Sequence, residues 1–188
     1  NIELPINYTL EHKRLPFSKS GKKKLSDFDF ISKISSNQYS ISSGNHTITS
    51  DLFVPASCSL LISPNASLLF DEDSTMISLG SVIAEGNSLQ PITFSSTGSF
   101  WAGILVYESP TPSIFEHCIF ENINGVGKAS NPKGIGRSGW NMTGAVNLYY
   151  ADASLRNCRF DNLLTEDALN IIHSNFELHD SNFTNLYS

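Results

Sequence analysis

Three carboxylates lie where a catalytic pair could form, namely Glu108 and the adjacent Glu166 and Asp167. Hydrolysis of a glycosidic bond requires two carboxyl groups about 5 to 9.5 Å apart. β-Elimination at a uronate requires Ca²⁺ held by several carboxylates and a basic residue that abstracts a proton. Neither the group of carboxylates that would hold Ca²⁺ nor the basic residue is recognisable in this sequence. Catalysis is therefore a minor hypothesis, and neither a cofactor nor a metal is predicted, although Ca²⁺ is the ion that lyase chemistry would use. The simpler interpretation of Glu166 and Asp167 is that they cap a turn.

Aromatic and amide side chains form a second set, of a type that suits contact with sugars. Aromatic rings pack on the C–H faces of sugar rings, while amides pair with hydroxyl groups. Tyrosine on a sheet surface is also ordinary β-strand composition, so a purely structural interpretation stays open. The candidate binding residues are Trp101, Tyr107, Trp140, Asn147, Tyr149, Tyr150, Asn170 and His173.

Two strips of sequence recur and indicate the scaffold that positions these residues. One is a phrase of the type Cys/Ser-x-Phe-x-Asn, and the other is an apolar strip upstream of it. Both recur with a step of 23 residues between their last two copies. The copies are Cys118–Asn122, Cys158–Asn162 and Ser181–Asn185 for the first strip, and Gly103–Tyr107, Ala145–Tyr149 and Ala168–Ile172 for the second. Such repeats predict a β-solenoid, and with the earlier period-two apolar pairs we count roughly five to six rungs.

One residue in each rung is predicted to form a sharp corner. Leu155 and Phe160 are five residues apart, so strict alternation cannot point both inward, and a corner at Asn157 restores the phase. His117 and Asp180 hold the same position in the neighbouring rungs. Asn, Asp and His are the non-glycine residues most enriched in the left-handed conformation that a sharp bend needs. The inward columns that follow are Ile104/Val146/Leu169, Val106/Leu148/Ile171, Phe115/Leu155/Leu178, Cys118/Cys158/Ser181 and Phe120/Phe160/Phe183, with Asn122/Asn162/Asn185 stacked as an amide ladder.

The same alternation predicts an outer face for the first strand of each rung. Tyr107, Asn147, Tyr149 and Asn170 belong to that face, and Trp101, Tyr150 and His173 to the strand ends. An inserted loop at 123–142, which carries Trp140, interrupts the repeat. We expect either a flexible solvent loop or a flap over the outer face, since functional loops are often borne on rigid scaffolds.

Three strands per rung, a polar left-handed corner and an Asn ladder resemble the right-handed parallel β-helix of the pectate-lyase-like superfamily. The segments Gly80–Gly86, Pro91–Phe94 and Trp101–Ile104 are similar to a signature of secreted microbial β-helix proteins. Through Thr143–Val146 and Glu166–Ile171, residues 38–188 also resemble the β-helical segment of some proteins with a spore-coat-protein-H-type kinase-like domain. The resemblance implies an all-β, right-handed parallel β-helix. It also implies that a saccharide would bind over the sheet that the first strand of each rung forms. It implies no reaction, because this fold hosts many activities.

The rest of the chain predicts the domain organisation. Residues 1–24 hold six of the 12 basic residues and are predicted to be a basic linker or an extended N-terminal segment. Residues 25–36 are predicted to be a short capping helix, because apolar residues from Leu25 to Ile34 follow a helical spacing. Residues 37–188 form the β-helix, whose last rung has no cap. We therefore expect a fragment of a longer polypeptide with further domains.

Charge and cysteine content restrict the partners. Beyond residue 36 the chain has five basic and 14 acidic residues, which argues against nucleic acid, since Lys and Arg supply most of such affinity. No apolar run is long enough to predict a membrane span. Cys118 and Cys158 share an inward position on adjacent rungs, where a disulfide is geometrically possible and a pair of buried free thiols is the more common outcome.

Two functions from different classes remain. The first is a non-catalytic module of a larger extracellular or cell-surface protein, either structural or contacting polysaccharide through the outer face. The second is the N-terminal part of a polysaccharide lyase or glycoside hydrolase whose catalytic rungs lie at or beyond the C-terminus.

Overall fold

A computed structural model describes residues 23–72, 74–125 and 143–187. The basic segment before residue 23 and most of the inserted loop, including Trp140, lie outside these ranges. The described chain coils through about five turns of parallel β-solenoid with three strands per turn. The all-β class, the three strands per rung and the number of rungs are confirmed, and the hand of the coil stays a prediction.

The secondary structure is one short 3₁₀ turn and 18 strands among the described residues. The turn is Leu25–Asp27, and the strands are β1 (Ile31–Lys33), β2 (Gln38–Ile41), β3 (Gly44–Ile48), β4 (Leu52–Val54), β5 (Ser59–Ile62), β6 (Ala66–Phe70), β7 (Thr75–Ser78), β8 (Ser81–Glu85), β9 (Ile92–Ser96), β10 (Gly103–Tyr107), β11 (Ser113–Glu116), β12 (Cys118–Ile123), β13 (Gly144–Tyr149), β14 (Ala153–Arg156), β15 (Arg159–Leu163), β16 (Asp167–Ile172), β17 (Phe176–His179) and β18 (Asn182–Leu186). No helix in the described ranges has the length and apolar character that crossing a membrane would require.

The strands form three sheets that run along the coil. Sheet A has the order β1-β2-β5-β8-β11-β14-β17, sheet B has β18-β15-β12-β9-β6-β3, and sheet C has β16-β13-β10-β7-β4. Every neighbouring pair of named strands is parallel except β1 with β2. Each rung therefore contributes one strand to each sheet, and a side chain lies directly above its counterpart in the rung before.

A column of phenylalanine rings fills the core beneath sheet B. Phe94, Phe120, Phe160 and Phe183 are in register on successive rungs. Their ring centroids lie 5.1, 4.8 and 4.7 Å apart, and each neighbouring pair is stacked. Period-two alternation directs these rings inward, and the common register places each ring on the ring of the neighbouring rung. The predicted Phe column is confirmed, as are the registers of the columns that contain Ile104, Val106 and Phe115.

Left-handed corners recur in three columns, one for each corner of the rung. Ten non-glycine residues in the described ranges have positive φ, and nine of them fall in these columns. The columns are His117/Asn157/Asp180, Asn122/Asn162/Asn185 and Glu108/Tyr150/His173, with φ between 46° and 59°. The corner at Asn157 is confirmed. The third column was not recognised as a corner, because Glu and Tyr are not among the residues that favour this conformation.

The Asn ladder is present in part. Asn162 Nδ2 donates to Asn122 Oδ1 at 2.7 Å, and Asn122 Nδ2 donates to Ser95 Oγ at 3.0 Å. Asn185, in contrast, donates to the Asp161 carboxylate at 2.8 Å. Hydrogen bonds from Asn185 and Thr184 hold the pKa of Asp161 below its usual value, with a smaller contribution from the Arg159 charge.

The predicted capping helix at 25–36 is wrong. Only Leu25–Asp27 forms a 3₁₀ turn, and Ile31–Lys33 pairs antiparallel with β2. Of the four apolar residues with the expected spacing, Leu25, Phe28 and Ile31 are nevertheless buried in the main core, whereas Ile34 is exposed. A 12-residue helix is marginal by itself, and pairing with β2 satisfies the backbone of this segment at the sheet margin. The first rung is thus closed by a turn and an antiparallel strand.

The stacked cysteines are free thiols. Cys118 and Cys158 are buried, and each Sγ donates to a backbone carbonyl at 3.4 Å, that of Ala84 and of Phe115 respectively. Burial raises the pKa of the Cys118 thiol. The two residues therefore pack as small core side chains between neighbouring rungs.

Candidate functional site

The three candidate catalytic carboxylates do not converge. Asp167 begins β16 and is in register with Gly144, whereas Glu108 follows the end of β10. Six residues along the sheet separate these positions, which corresponds to about 20 Å at the rise of a β-strand. That separation exceeds the distance between the carboxyl groups of a glycosidase.

The carboxylate of Asp167 also has a structural partner. Thr143 Oγ1 donates to Asp167 Oδ2 at 2.7 Å, and the backbone N–H of Asp167 donates to the Thr143 carbonyl at 3.2 Å. Asp167 therefore fixes the chain segment that leads into β13. Glu166 beside it is exposed. Among the described residues, no group of three or more His, Cys, Asp or Glu side chains is arranged to hold a metal ion.

Trp101 is a core residue. Its side chain is fully buried, its ring stacks on Phe70 at 4.1 Å, and its indole N–H donates to the Glu121 carbonyl at 3.0 Å. The sequence placed it at an accessible strand end, but strict alternation does not hold where the chain turns from sheet B into sheet C. Trp101 is therefore unsuited to contact with a sugar.

Asn147 and Asn170 face outward from sheet C, yet their amides are already used. Asn147 Nδ2 donates to the carbonyls of Gly144 and Ile104 at 2.8 and 3.0 Å, and its Oδ1 accepts from the Gly144 N–H at 3.1 Å. Asn170 Nδ2 donates to Thr143 Oγ1 at 2.9 Å. Asn147 is 1% exposed. Asn147 therefore holds Gly144 at the start of β13, and Asn170 holds Thr143 just before it.

Replacing Asn147 with leucine is expected to lower the free energy of unfolding by about 1–3 kcal/mol, because two buried backbone groups of Gly144 lose their partner. Urea denaturation of the variant measures this loss. Asn45→Leu is the matched control, since Asn45 is exposed on the outer side of β3 and should change stability by no more than about 0.5 kcal/mol. Equal losses in both variants would contradict the structural role of Asn147.

Tyr107 and Tyr149 stack on the outer face of sheet C. They are in register on β10 and β13, with ring centroids 5.3 Å apart. Tyr107 is 6% exposed and belongs to an outer apolar cluster with Ile77, Ala102 and Leu105. Burial, followed by a hydrogen bond with the Glu108 carboxylate, raises the pKa of Tyr107 well above its usual value. Tyr107 is thus largely inaccessible, whereas Tyr149 is half-buried.

Tyr150 and His173 present an accessible aromatic pair. Both occupy the left-handed corner between sheets C and A, and their rings stack at 4.9 Å with an angle of 11° between the planes. Tyr149 packs edge-on against Tyr150 at 4.9 Å. Tyr150 is 37% exposed, and His173 is exposed. The backbone N–H of Tyr150 donates to the Ile172 carbonyl at 3.0 Å. Backbone hydrogen bonding between the two rungs therefore continues through the corner and holds the rings of Tyr150 and His173 in place.

A shallow groove of about 730 Å³ begins two residues beyond this corner, on the outer face of sheet A. Asp152 and Asn175 form its near wall, where the Asn175 N–H donates to Asp152 Oδ1 at 2.8 Å. The other lining residues are Glu85, Pro112, Ser113, Ile114, Glu116, Ala153, Ser154, Arg156, Phe176 and Glu177. The volume falls within the range of small-molecule sites.

The groove is acidic. Glu85 and Glu116 are directly in register on β8 and β11, and Arg156 follows them on β14. The Arg156 guanidinium pairs with Glu177 at 2.6 Å. Four carboxylates thus face one paired cation, a balance that disfavours polyanionic ligands. The sequence reasoning missed this groove because it considered only the first strand of each rung, although the alignment of Glu116 with Arg156 follows from the repeat.

No protein-family model, curated protein or solved structure matches this chain. The superfamily-level resemblance and the resemblance to spore-coat-protein-H-type proteins therefore stay predictions, while the β-solenoid itself is established by the strand registers.

Proposed function

We propose that this chain is a non-catalytic β-helical module of the pectate-lyase-like type. It serves a larger protein outside the cytoplasm and contacts carbohydrate at the corner formed by Tyr150 and His173 and in the adjoining groove. The observation that carries the proposal is the exposed, stacked aromatic pair at the rim of a groove. Aromatic faces receive sugar C–H groups, and nearby carboxylates and amides accept or donate hydrogen bonds to hydroxyls.

The rigidity of the corner supports this proposal. Tyr150 and His173 lie on adjacent rungs whose backbones are hydrogen-bonded to each other, and the N–H of Ala151 donates to Ser174 Oγ at 2.9 Å. Side chains held this way lose little conformational freedom on binding, and that favours affinity. The spacing of adjacent rungs, about 4.8 Å, is close to the length of one hexose unit, so neighbouring units of a sugar chain laid along the rungs would lie beside neighbouring corner residues.

The charge balance of the groove supports neutral glycans as the ligand class. Asp152, Glu116 and Glu177 all line the groove, and the Arg156 cation is paired with Glu177. A polyuronate would bring further negative charge to this surface. Neutral polysaccharides should therefore bind more tightly than polyuronates at low salt, and the difference should shrink as salt screens the charges.

Binding to an array of neutral glycans and polyuronates tests the proposal. The wild-type protein should retain neutral glycans, and Tyr150→Ala and His173→Ala should each weaken binding about tenfold, equivalent to about 1.4 kcal/mol. Ile34→Ala is the control, because Ile34 is an exposed apolar residue at the other end of the coil. The proposal would be refuted if no glycan bound, or if neither corner variant changed the binding. The remaining function would then be that of a structural spacer.

A further inference from the structure

Two buried thiols on adjacent rungs, Cys118 and Cys158, take no part in the proposed contact with carbohydrate. Cys118 begins β12 and Cys158 immediately precedes β15. The residues that follow them, Ile119 and Arg159, are paired with each other, so the two cysteines are stacked in register. Adjacent rungs are about 4.8 Å apart, which lies within the roughly 4.4–6.8 Å that separates the Cα atoms of a disulfide.

Both thiols lie between their own rung and the rung before it. Cys118 Sγ is 3.4 Å from the carbonyl oxygen of Ala84, and Cys158 Sγ is 3.4 Å from that of Phe115. Ala84 and Phe115 are themselves in register on sheet A, so the two sulfur atoms occupy the same place in successive rungs. The Cys158 sulfur therefore points towards the rung that carries Cys118, and a hydrogen bond joins the two thiols.

The two thiols differ chemically. The hydrogen bond with Cys118 lowers the pKa of the Cys158 thiol, whereas burial raises the pKa of the Cys118 thiol. Cys158 is therefore the first of the two to become a thiolate, which is the form that attacks a disulfide. The neighbouring positions of this column are Ile92 and Ser181. Neither carries sulfur, so Cys118 and Cys158 are a single matched pair.

We propose that Cys118 and Cys158 form a reversible disulfide that joins the two rungs on either side of the insertion at 123–142. The oxidant is a small-molecule disulfide. The Cys158 thiolate attacks one of its sulfur atoms, forms a mixed disulfide and releases the first small thiol. The Cys118 thiolate then attacks the Cys158 sulfur and releases the second. Two protein thiols are thereby oxidised, one small disulfide is reduced to two thiols, and these thiols carry both protons.

The disulfide acts where the repeat is interrupted. It encloses about 40 residues, which include the insertion and β13, and closing a loop of this length removes much of the freedom of the unfolded chain. Because both thiols are buried, exchange in the folded protein requires local opening of the two rungs, so oxidation is fastest while the chain folds. Disulfides persist outside the cytoplasm, which is the location proposed for this protein, but the bond does not depend on carbohydrate binding.

Refolding in a glutathione redox buffer, followed by denaturation, alkylation and mass measurement, tests the disulfide in the wild-type protein. The oxidised protein should carry one alkyl group, on Cys58, and should yield a linked pair of peptides that contain Cys118 and Cys158. Reduction should restore three alkylated cysteines. Three alkylated cysteines after oxidation, or a link that includes Cys58, would overturn the inference. Cys58→Ser is the matched control, because Cys58 is half-buried just before β5 and its replacement should leave the link unchanged.

Urea denaturation gives a second readout. Oxidation should raise the urea midpoint of the wild-type protein and of Cys58→Ser by roughly 1–2 M. Cys158→Ser should have the same midpoint in oxidising and reducing buffer, and this variant should fold because serine holds the equivalent position in the next rung, at Ser181. Equal midpoints for the oxidised and reduced wild-type protein would show that the bond does not hold the two rungs together, which contradicts its proposed role.

Discussion

Replacing Phe120 with alanine is expected to lower the free energy of unfolding by about 3–5 kcal/mol. Phe120 is fully buried in the middle of the Phe column, where it stacks on Phe94 and Phe160 and meets Phe115 edge-on at 5.6 Å. Its removal leaves a cavity that the stacked rungs cannot close, since every strand is tied to the strands on either side. The loss is large relative to the 5–15 kcal/mol by which proteins are usually stable.

The same column contains its own control. Phe183 holds the equivalent position in the last rung, stacks only on Phe160 within the described column, and is 36% exposed. Phe183→Ala should therefore cost less than half as much as Phe120→Ala, because water already reaches that ring. Urea denaturation followed by circular dichroism gives both values. Similar losses at the two positions would show that burial along the column does not determine stability.

Gly103→Ala is expected to cost about 2–5 kcal/mol, because it combines backbone strain with overlap. Gly103 has φ +105°, a region that side chains rarely adopt, and a Cβ there would overlap the carbonyl oxygen of Ala145 and approach Ile123 Cγ2 at 3.1 Å. Left-handed strain alone costs about 1–2 kcal/mol, and overpacking adds typically 1–3 kcal/mol. The Ala145 carbonyl belongs to the next rung, so the clash pushes two rungs apart.

Two other glycines separate these causes. Gly44 has φ +111° with open space around a Cβ, and Gly98 has neither positive φ nor a close neighbour. Thermal or urea unfolding should place the losses in the order Gly103→Ala, then Gly44→Ala, then Gly98→Ala, with the last close to zero. A loss for Gly44→Ala equal to that for Gly103→Ala would mean that strain alone is responsible and that the rungs tolerate the added methyl group.

The repeat predicted the scaffold because period and register are local properties of a solenoid. Once Phe120 and Phe160 occupy equivalent positions, stacking rungs at the spacing of β-strands brings them together, and the phase change at Asn157 requires a corner. The N-terminal segment was predicted wrongly for the opposite reason. The spacing of Leu25, Phe28 and Ile31 is compatible with a helix, but a turn followed by a strand buries the same residues. The strand forms because it can pair with the free edge of β2.

The candidate site could be predicted only in part. Tyr150 and His173 are exposed and close together, as the repeat implied, but Trp101 is in the core. The amide of Asn147 is hydrogen-bonded to Gly144 and Ile104, and that of Asn170 to Thr143. A strand pattern indicates which way a side chain points and not what lies over it. The groove on sheet A was missed because only the first strand of each rung was considered, although Asp152 and Asn175 on its near wall are one period apart.

The sequence by itself thus determined the solenoid, its inward columns and the polar corner, because each rung repeats the one before and neighbours in space are one period apart in the chain. Only the tertiary structure decided which outward residues are accessible, how the first rung is closed, and that Tyr150 and His173 stand at the rim of a groove. The first two features depend on contacts outside the repeat, those of the segment before Gly144 and of the N-terminal segment. Tyr150 and His173 are one period apart, but whether their rings are accessible depends on the side chains that pack beside them, which no period specifies.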